Sequence, residues 1–123
     1  MVTKAEIIEF VQNIENVSMD SPFTDDFNTI VFRHAKTKKW FGLYMTVKKR
    51  RLGIDDEGEI DIINLKCEKE LSYIIRNAYD YVIPAFHMNK IHWNTILLNS
   101  NIQFDELKKY IILSYDLTIC KET

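Results

Sequence analysis

The chain has 123 residues, 46% apolar and 28% charged, with a formal net charge of −2, three Gly, two Pro and two Cys. This length fits one domain with one core, no apolar run approaches the roughly 18–20 residues of a membrane span, and the N-terminus lacks the apolar stretch of a signal peptide. A single cytoplasmic domain over 1–123 is expected, with Cys67 and Cys120 as reduced thiols far apart in sequence.

Thr3 to about Ile14 reads as an amphipathic helix, with Ile7, Phe10, Val11 and Ile14 on one face and a Thr3–Glu6 capping box. Met19 to Asn28, with Ser21-Pro22 and Asp25-Asp26, reads as a loop. Thr29–Ala35 is a strand, Lys36–Lys39 a polar turn, and Trp40–Lys49 a longer strand. In the longer strand Phe41, Leu43, Met45 and Val47 alternate with Trp40, Gly42, Tyr44 and Thr46. A tight connection over Gly53–Gly58 leads to a strand over Glu59–Cys67. The apolar phase of that strand shifts at Ile62-Ile63, which implies a bulge or burial of both faces.

Lys69–Ala78 reads as a second helix, with Leu71, Ile74, Ile75 and Ala78 on its apolar face. Tyr81–Phe86 is a short strand, confined by Pro84 to an edge or end because proline donates no ladder hydrogen bond. His87–Lys90 is a turn, Ile91–Leu98 a strand, and Phe104 to about Thr118 the last helix. The order α-β-β-β-α-β-β-α implies an α+β two-layer sandwich. Its five-stranded, mainly antiparallel sheet begins as a meander and carries the helices on one face.

Charge is unevenly placed. Eight basic residues and no acidic one fall between positions 33 and 51: Arg33, Lys36, Lys38, Lys39, Lys48, Lys49, Arg50 and Arg51, half of the 16 in the chain. Acidic residues flank the block, among them Asp20, Asp25 and Asp26 before it and Asp55–Glu57 after it. A strand of about ten residues holds the two basic loops roughly 30 Å apart. Such loops suit phosphate, whose bound counterions Lys and Arg displace, and Trp40 and Tyr44 on the polar face offer rings for stacking on bases. Alternatively, the lysines are a solvated face, paired with the carboxylates across the hairpin.

Catalytic chemistry has little footing. His87 and His92 are five apart, which fits neither a helical i, i+4 metal pair nor one face of a strand. Cys67 with His34 or His92 is a combination that any sequence with three histidines permits. No glycine-rich phosphate loop, nucleophile elbow or cofactor fingerprint is present. Neither a metal, a cofactor nor an enzymatic activity is therefore expected.

Four separated stretches resemble the MmcQ/YjbR family of small bacterial proteins. They are Phe32-Arg33-His34 with Lys39-Trp40-Phe41; Ile63-Asn64-Leu65-Lys66-Cys67; Pro84 to Lys90 with His92-Trp93-Asn94-Thr95; and Ser114-Tyr115-Asp116-Leu117. Phe86 stands where that family usually has Tyr. The resemblance implies an α-β3-α-β2-α domain of CyaY-like shape and a DNA-binding module of the double-wing type, in which two hairpins grip the duplex. It implies no catalytic residues. Its motif residues here are Asn64, Lys66, Pro84, His87, Asn89, Lys90, His92 and Trp93. Lys66 and Lys90 are the two least needed for folding and so the better anion contacts, and the rest suit a polar network at the crossover between the two halves of the sheet. DNA is thus the expected partner, bound electrostatically through the basic hairpins and Lys90, by a monomer or weak homodimer with no membrane association. The alternatives are a protein-interaction or chaperone-like module of unknown partner and a small-anion site near Lys66, His87 and Lys90.

Overall fold

A computed structural model describes residues 1–23 and 28–119. The elements are α1 (Lys4–Gln12), β1 (Val17–Asp20), β2 (Ile30–His34), β3 (Trp40–Lys48), a 3-10 turn (Lys49–Leu52), β4 (Glu59–Lys66), α2 (Lys69–Ala78), β5 (Val82–Pro84), β6 (Trp93–Leu97) and α3 (Phe104–Thr118). The strands form one antiparallel sheet in the order β1-β2-β3-β4-β6-β5. The α+β class and the β2-β3-β4 meander are as expected. Pro84 ends β5, which is an edge strand, as its missing N–H requires.

The strand count is six among the described residues, not five. Val17–Asp20, read as helix exit and loop, instead pairs with β2, Met19 opposite Phe32 and Asp20 opposite Val31. Four residues with one acidic end carry little alternation, so only their long-range pairing reveals a strand. Asp25 and Asp26 of the expected loop, and Cys120, lie outside the described residues.

All three helices cover one face of the sheet, and the main core lies between. Ile7 and Val11 of α1, Ile75 of α2 and Leu107 and Ile111 of α3 meet Phe32, Phe41, Tyr44, Ile63, Leu65 and Ile96. The Thr3–Glu6 capping box forms, with Glu6 N–H donating to the Thr3 hydroxyl at 3.2 Å and Thr3 N–H to the Glu6 carboxylate at 3.0 Å. The buried side of α2 differs from its apolar pattern. Ile74 is 61% exposed, whereas Ser72 and Ile75 face inward and Arg76 is half-buried. This rotation lets α2 present polar groups to β6: Arg76 Nε donates to Asn94 Oδ1 at 2.6 Å and Asn94 Nδ2 to Ser72 Oγ at 3.2 Å.

The irregularity expected in the Glu59–Cys67 strand is not a bulge. β4 keeps continuous register from Glu59 to Leu65 against β3, and Ile62 and Ile63 are both fully buried because both faces are covered. Ile62 joins Val47 and Ile60 in a smaller core on the second face, closed by Met45, Leu52, Phe86 and Leu97. The bulge lies instead between β2 and β3, where Phe32 opposes Gly42 but Arg33 opposes Trp40. Phe41, the extra residue, faces the helices, and so does its neighbour Gly42. A Cβ on Gly42 would lie 2.7 Å from Phe32 Cδ2, so only glycine fits there. Past the bulge the side-chain phase of β3 is inverted, which places Tyr44 in the main core.

One hydroxyl settles the backbone where the bulge opens the sheet. The β3–β4 ladder stops at Gly42–Leu65. Beyond it, Ser114 of α3 accepts from Lys66 N–H at 2.9 Å and donates to the Phe41 carbonyl at 2.5 Å, satisfying two groups that the interrupted ladder leaves without strand partners. Ser114→Ala strips both bonds, the one to the Phe41 carbonyl from a fully buried position. Stability is expected to fall by about 1–3 kcal/mol, read as a lower urea midpoint at unchanged slope; an unchanged midpoint would refute the bridging role.

Candidate functional site

The motif residues meet around the loop from Ala85 to His92, which crosses the face of the sheet away from the helices. Asn64 and Thr95 face each other on β4 and β6 and are fully buried. Thr95 Oγ1 donates to Asn64 Oδ1 at 2.5 Å and accepts Phe86 N–H at 2.8 Å, while Asn64 Nδ2 donates to the Phe86 carbonyl at 3.0 Å. The Phe86 backbone is thereby held by both its N–H and its C=O. From the helical side, Arg76 donates to the Trp93 carbonyl at 3.0 Å and also to the Lys90 carbonyl. Asn89 Oδ1 accepts from the N–H groups of Ile91 and His92 at 2.8 and 3.2 Å. His87 sits in the left-handed region at φ 58°, which turns the chain back sharply.

Lys90 is drawn into this frame. Its ammonium donates to the Ala85 carbonyl at 2.9 Å and so bridges the base of the loop, with two donors remaining for any anion. Lys66 is half-buried on β4, paired across the ladder with Trp93. Pro84 and His92 are exposed at the loop's two ends.

The basic block divides as its spacing implies. Lys36, Lys38 and Lys39 form an exposed turn at one end of β3, and Lys48 to Arg51 lie at the other. Several of these cations are already engaged. Arg33 Nε pairs with Asp20 at 2.7 Å, Lys49 with Asp56 at 2.9 Å, and Arg50 with Glu57 at 3.7 Å. Lys49 holds the Asp56 carboxyl below its ordinary range, through its hydrogen bond and its charge. Arg51 is engaged differently. Its guanidinium lies 5.3 Å from the Phe86 ring centre and 3.2 Å from His87 Nε2, which ties the basic hairpin to the motif loop. Among the described residues, no carboxylate pairs with Lys36, Lys38, Lys39, Lys48 or Arg51.

Tyr44 cannot serve as a stacking ring. It is 2% exposed, and its hydroxyl donates to Asp61 at 2.5 Å. Burial, and then that carboxylate, push its phenol well above the ordinary value. Trp40 remains half-exposed, with Arg33 over its ring at 5.3 Å.

Neither of the buried candidates for chemistry forms a nucleophile–base pair. His34 lies 5.1 and 4.6 Å from the ring centres of Phe41 and Tyr115, and its Nε2 is 2.7 Å from Thr118 Oγ1. The Thr118 hydroxyl also lies 2.8 Å from the Ser114 carbonyl, to which it donates, so His34 shares a buried polar contact with α3 rather than a nucleophile. Cys67 is buried, and desolvation pushes its thiol up, away from the thiolate. Among the described residues no three His, Cys, Asp or Glu side chains gather as a metal site. Arg76, Thr95 and Ser114 organise the site; Thr95 and Ser114 fall within the stretches that carry the family resemblance, whereas no sequence pattern singles out Arg76. Each reads as a polar residue on an amphipathic element, and only tertiary pairing gives it a role.

An open antiparallel sheet, helical on one side and crossed on the other by a loop pinned at Asn64 and Thr95, defines an α+β domain built around that loop. The chain belongs to the YjbR family, whose model matches residues 13–117. It is 39% identical over 118 residues to the uncharacterized protein YyaQ of Bacillus subtilis (strain 168), covering 96% of this chain and 99% of YyaQ. YjbR of Escherichia coli (strain K12) matches at 28% identity over 57 residues, 46% of this chain and 48% of that protein. A crystal structure of a Pseudomonas syringae protein superposes with a TM-score of 0.89 at 32% identity, covering 96% of this chain and all of that one.

The buried histidine makes stability pH-dependent. Desolvation, and then Lys39, hold the His34 pKa below its ordinary 6.5. The unfolded chain therefore takes up a proton that the folded one refuses. Stability is full above about pH 6.5 and declines as pH falls from there through the folded pKa. Denaturant midpoints measured in steps from neutral to mildly acidic pH should show this slope, and His34→Gln should flatten it. A slope unchanged in the variant would assign it to another group; that of Asp56 belongs to the lower, carboxylate range.

Proposed function

We propose that this protein is a non-enzymatic, cytoplasmic DNA-binding module that grips the phosphate backbone with the two ends of its sheet. The observation that carries the reading is the separation of those cations of the basic block that have no carboxylate partner among the described residues. Lys36, Lys38 and Lys39 stand at the start of β3, and Lys48 and Arg51 stand at its end, nine residues away. At about 3.3 Å per residue the two groups are roughly 30 Å apart, close to the ~34 Å of one helical turn of duplex DNA. Two basic contacts at that spacing can meet the backbone on the same side of a duplex one turn apart.

The rest of the charge distribution agrees with a light touch. Ion pairs remove Arg33, Lys49 and Arg50 from the free count, so few phosphates are engaged. The contacts are lysine-rich and backbone-directed, which supplies affinity and little sequence preference. The tie from Arg51 to Phe86 and His87 stiffens the hairpin and lowers the ordering cost of binding. The buried, unreactive thiol of Cys67 and the enclosed ring of His34 favour a binding role over catalysis.

Fluorescence anisotropy with short duplex DNA over a series of salt concentrations tests the reading. Affinity should fall steeply with salt, by a log–log slope of about 0.9 per phosphate neutralised. Lys36→Gln, Lys38→Gln and Lys39→Gln together should reduce that slope by about 2–3, and Lys48→Gln by about 1. Flat titrations at low salt would sink the proposal.

A further inference from the structure

Both tryptophans of the chain stand on the sheet face away from the helices. Trp40 opens β3 opposite Arg33 of β2. Trp93 opens β6 opposite Lys66 of β4. Their neighbours Phe41 and Cys67 enter the main core, and Asn94 reaches Ser72 on α2. Alternation therefore directs Arg33, Trp40, Lys66 and Trp93 to the other face. Because β2, β3, β4 and β6 are consecutive in the sheet, these four side chains form a row, spaced by roughly 4.8 Å where the strands pair and more widely between β3 and β4, where the Ser114 hydroxyl stands between the Phe41 carbonyl and the Lys66 N–H. The ladder between β3 and β4 ends at Gly42–Leu65, so Trp40 is displaced along its strand by about one residue, ~3.3 Å.

The row combines two rings with two cations. All four residues are partly exposed. Arg33 is paired with Asp20 and lies over the Trp40 ring at 5.3 Å, which fixes the orientation of that indole. Lys66, between the two tryptophans, has no ion-pair partner among the described residues. The exposed turn bearing Lys36, Lys38 and Lys39 joins β2 to β3 at the same end of the sheet. No catalytic or core requirement places both tryptophans of the chain beside a lysine at one partly exposed end of the sheet.

We propose that this row is a binding site for unpaired nucleotides, in which bases stack on Trp40 and Trp93 and Lys66 neutralises the phosphate between them. The inference rests on the nucleic-acid reading above and adds a substrate class to it: single-stranded segments. An indole accepts the face of any base, but in a duplex those faces are covered by neighbouring pairs, so a ring row selects unpaired strands. A sheet face carrying aromatic side chains is well suited to this, because the rings are held by the backbone beneath them and little ordering is required on binding. Electrostatics alone would need the lysines and not the rings.

Because the two indoles are the only ones in the chain, intrinsic tryptophan fluorescence reports on this row alone. The full chain is titrated with an oligothymidylate of about 15 nucleotides, with an abasic oligonucleotide of the same length, and with duplex DNA. Stacking predicts strong quenching by oligothymidylate, little by the abasic strand despite its equal charge, and tighter binding of the former. Trp40→Leu and Trp93→Leu, checked for folding by circular dichroism, should each weaken oligothymidylate binding roughly 5- to 100-fold and leave duplex affinity in place. Trp40→Phe and Trp93→Phe should retain most of it. Equal affinity for the two single strands without quenching would overturn the stacking site and leave the electrostatic reading standing. Absence of binding to all three at low salt would overturn both.

Discussion

The Phe86 peptide group lies across the middle of a sheet, a place where an unpaired N–H or C=O would be costly. Asn64 and Thr95 remove that cost with one hydrogen bond each to Phe86, and a third between them holds the pair in place. Much else depends on this arrangement. It holds the motif loop against the face opposite the helices and sets the Phe86 ring over Val47, Ile60 and Ile62. It also gives Arg51 a fixed ring to lie on. An asparagine is suited to the position because its amide donates to one partner while its carbonyl accepts from another. An aspartate would lose the bond to the Phe86 carbonyl and introduce a buried charge.

A second constraint acts where β3 begins. The extra residue Phe41 places two consecutive side chains on the helical side and inverts the phase of everything after it. Three features accommodate it. Gly42 gives Phe32 its space, Ser114 satisfies the separated backbone groups, and His34 and Tyr115 close around Phe41. The stretch Ser114-Tyr115-Asp116-Leu117 thus has a structural explanation. Its serine and tyrosine are the α3 side of the bulge, which accounts for a polar residue on the buried stripe of a helix. The same opening of the ladder separates Trp40 from Lys66 on the outer face.

The fold class was legible because its signals are local. The capping box of α1, the proline at the end of β5 and the short turns of the meander each act within a few residues. What escaped was set by long-range pairing. β1 is defined by its partner rather than by its own pattern. The phase of β3 reads as simple alternation until the bulge inverts it, which is why Tyr44 is placed on the wrong face. α2 turns its Ser72–Arg76 side inward because β6 presents Asn94 and bare carbonyls there, and no helical periodicity carries that information. The site was legible in part for the same reason. Its motif residues stand close in sequence, but the contact between Arg51 and the motif loop joins positions 36 residues apart.

That contact changes how the charge of the chain is organised. In sequence, the basic block and the histidine-rich stretch are separate features, one electrostatic and one structural. In the fold, Arg51 belongs to both, and Lys90 spends one donor bracing the loop from below. The carboxylates beside the block have a matching effect. Asp20, Asp56 and Glu57 each take one cation, which leaves Lys36, Lys38 and Lys39 at one end of β3 and Lys48 and Arg51 at the other without a carboxylate partner among the described residues. A net charge of −2 thus hides an uneven distribution, with Glu59 standing opposite Lys48 in the ladder but no carboxylate paired with the turn before β3 among the described residues. The paired cations are Arg33 at the start of the block and Lys49 and Arg50 near its end, so the turn before β3 keeps all of its charge and the hairpin after it keeps only part.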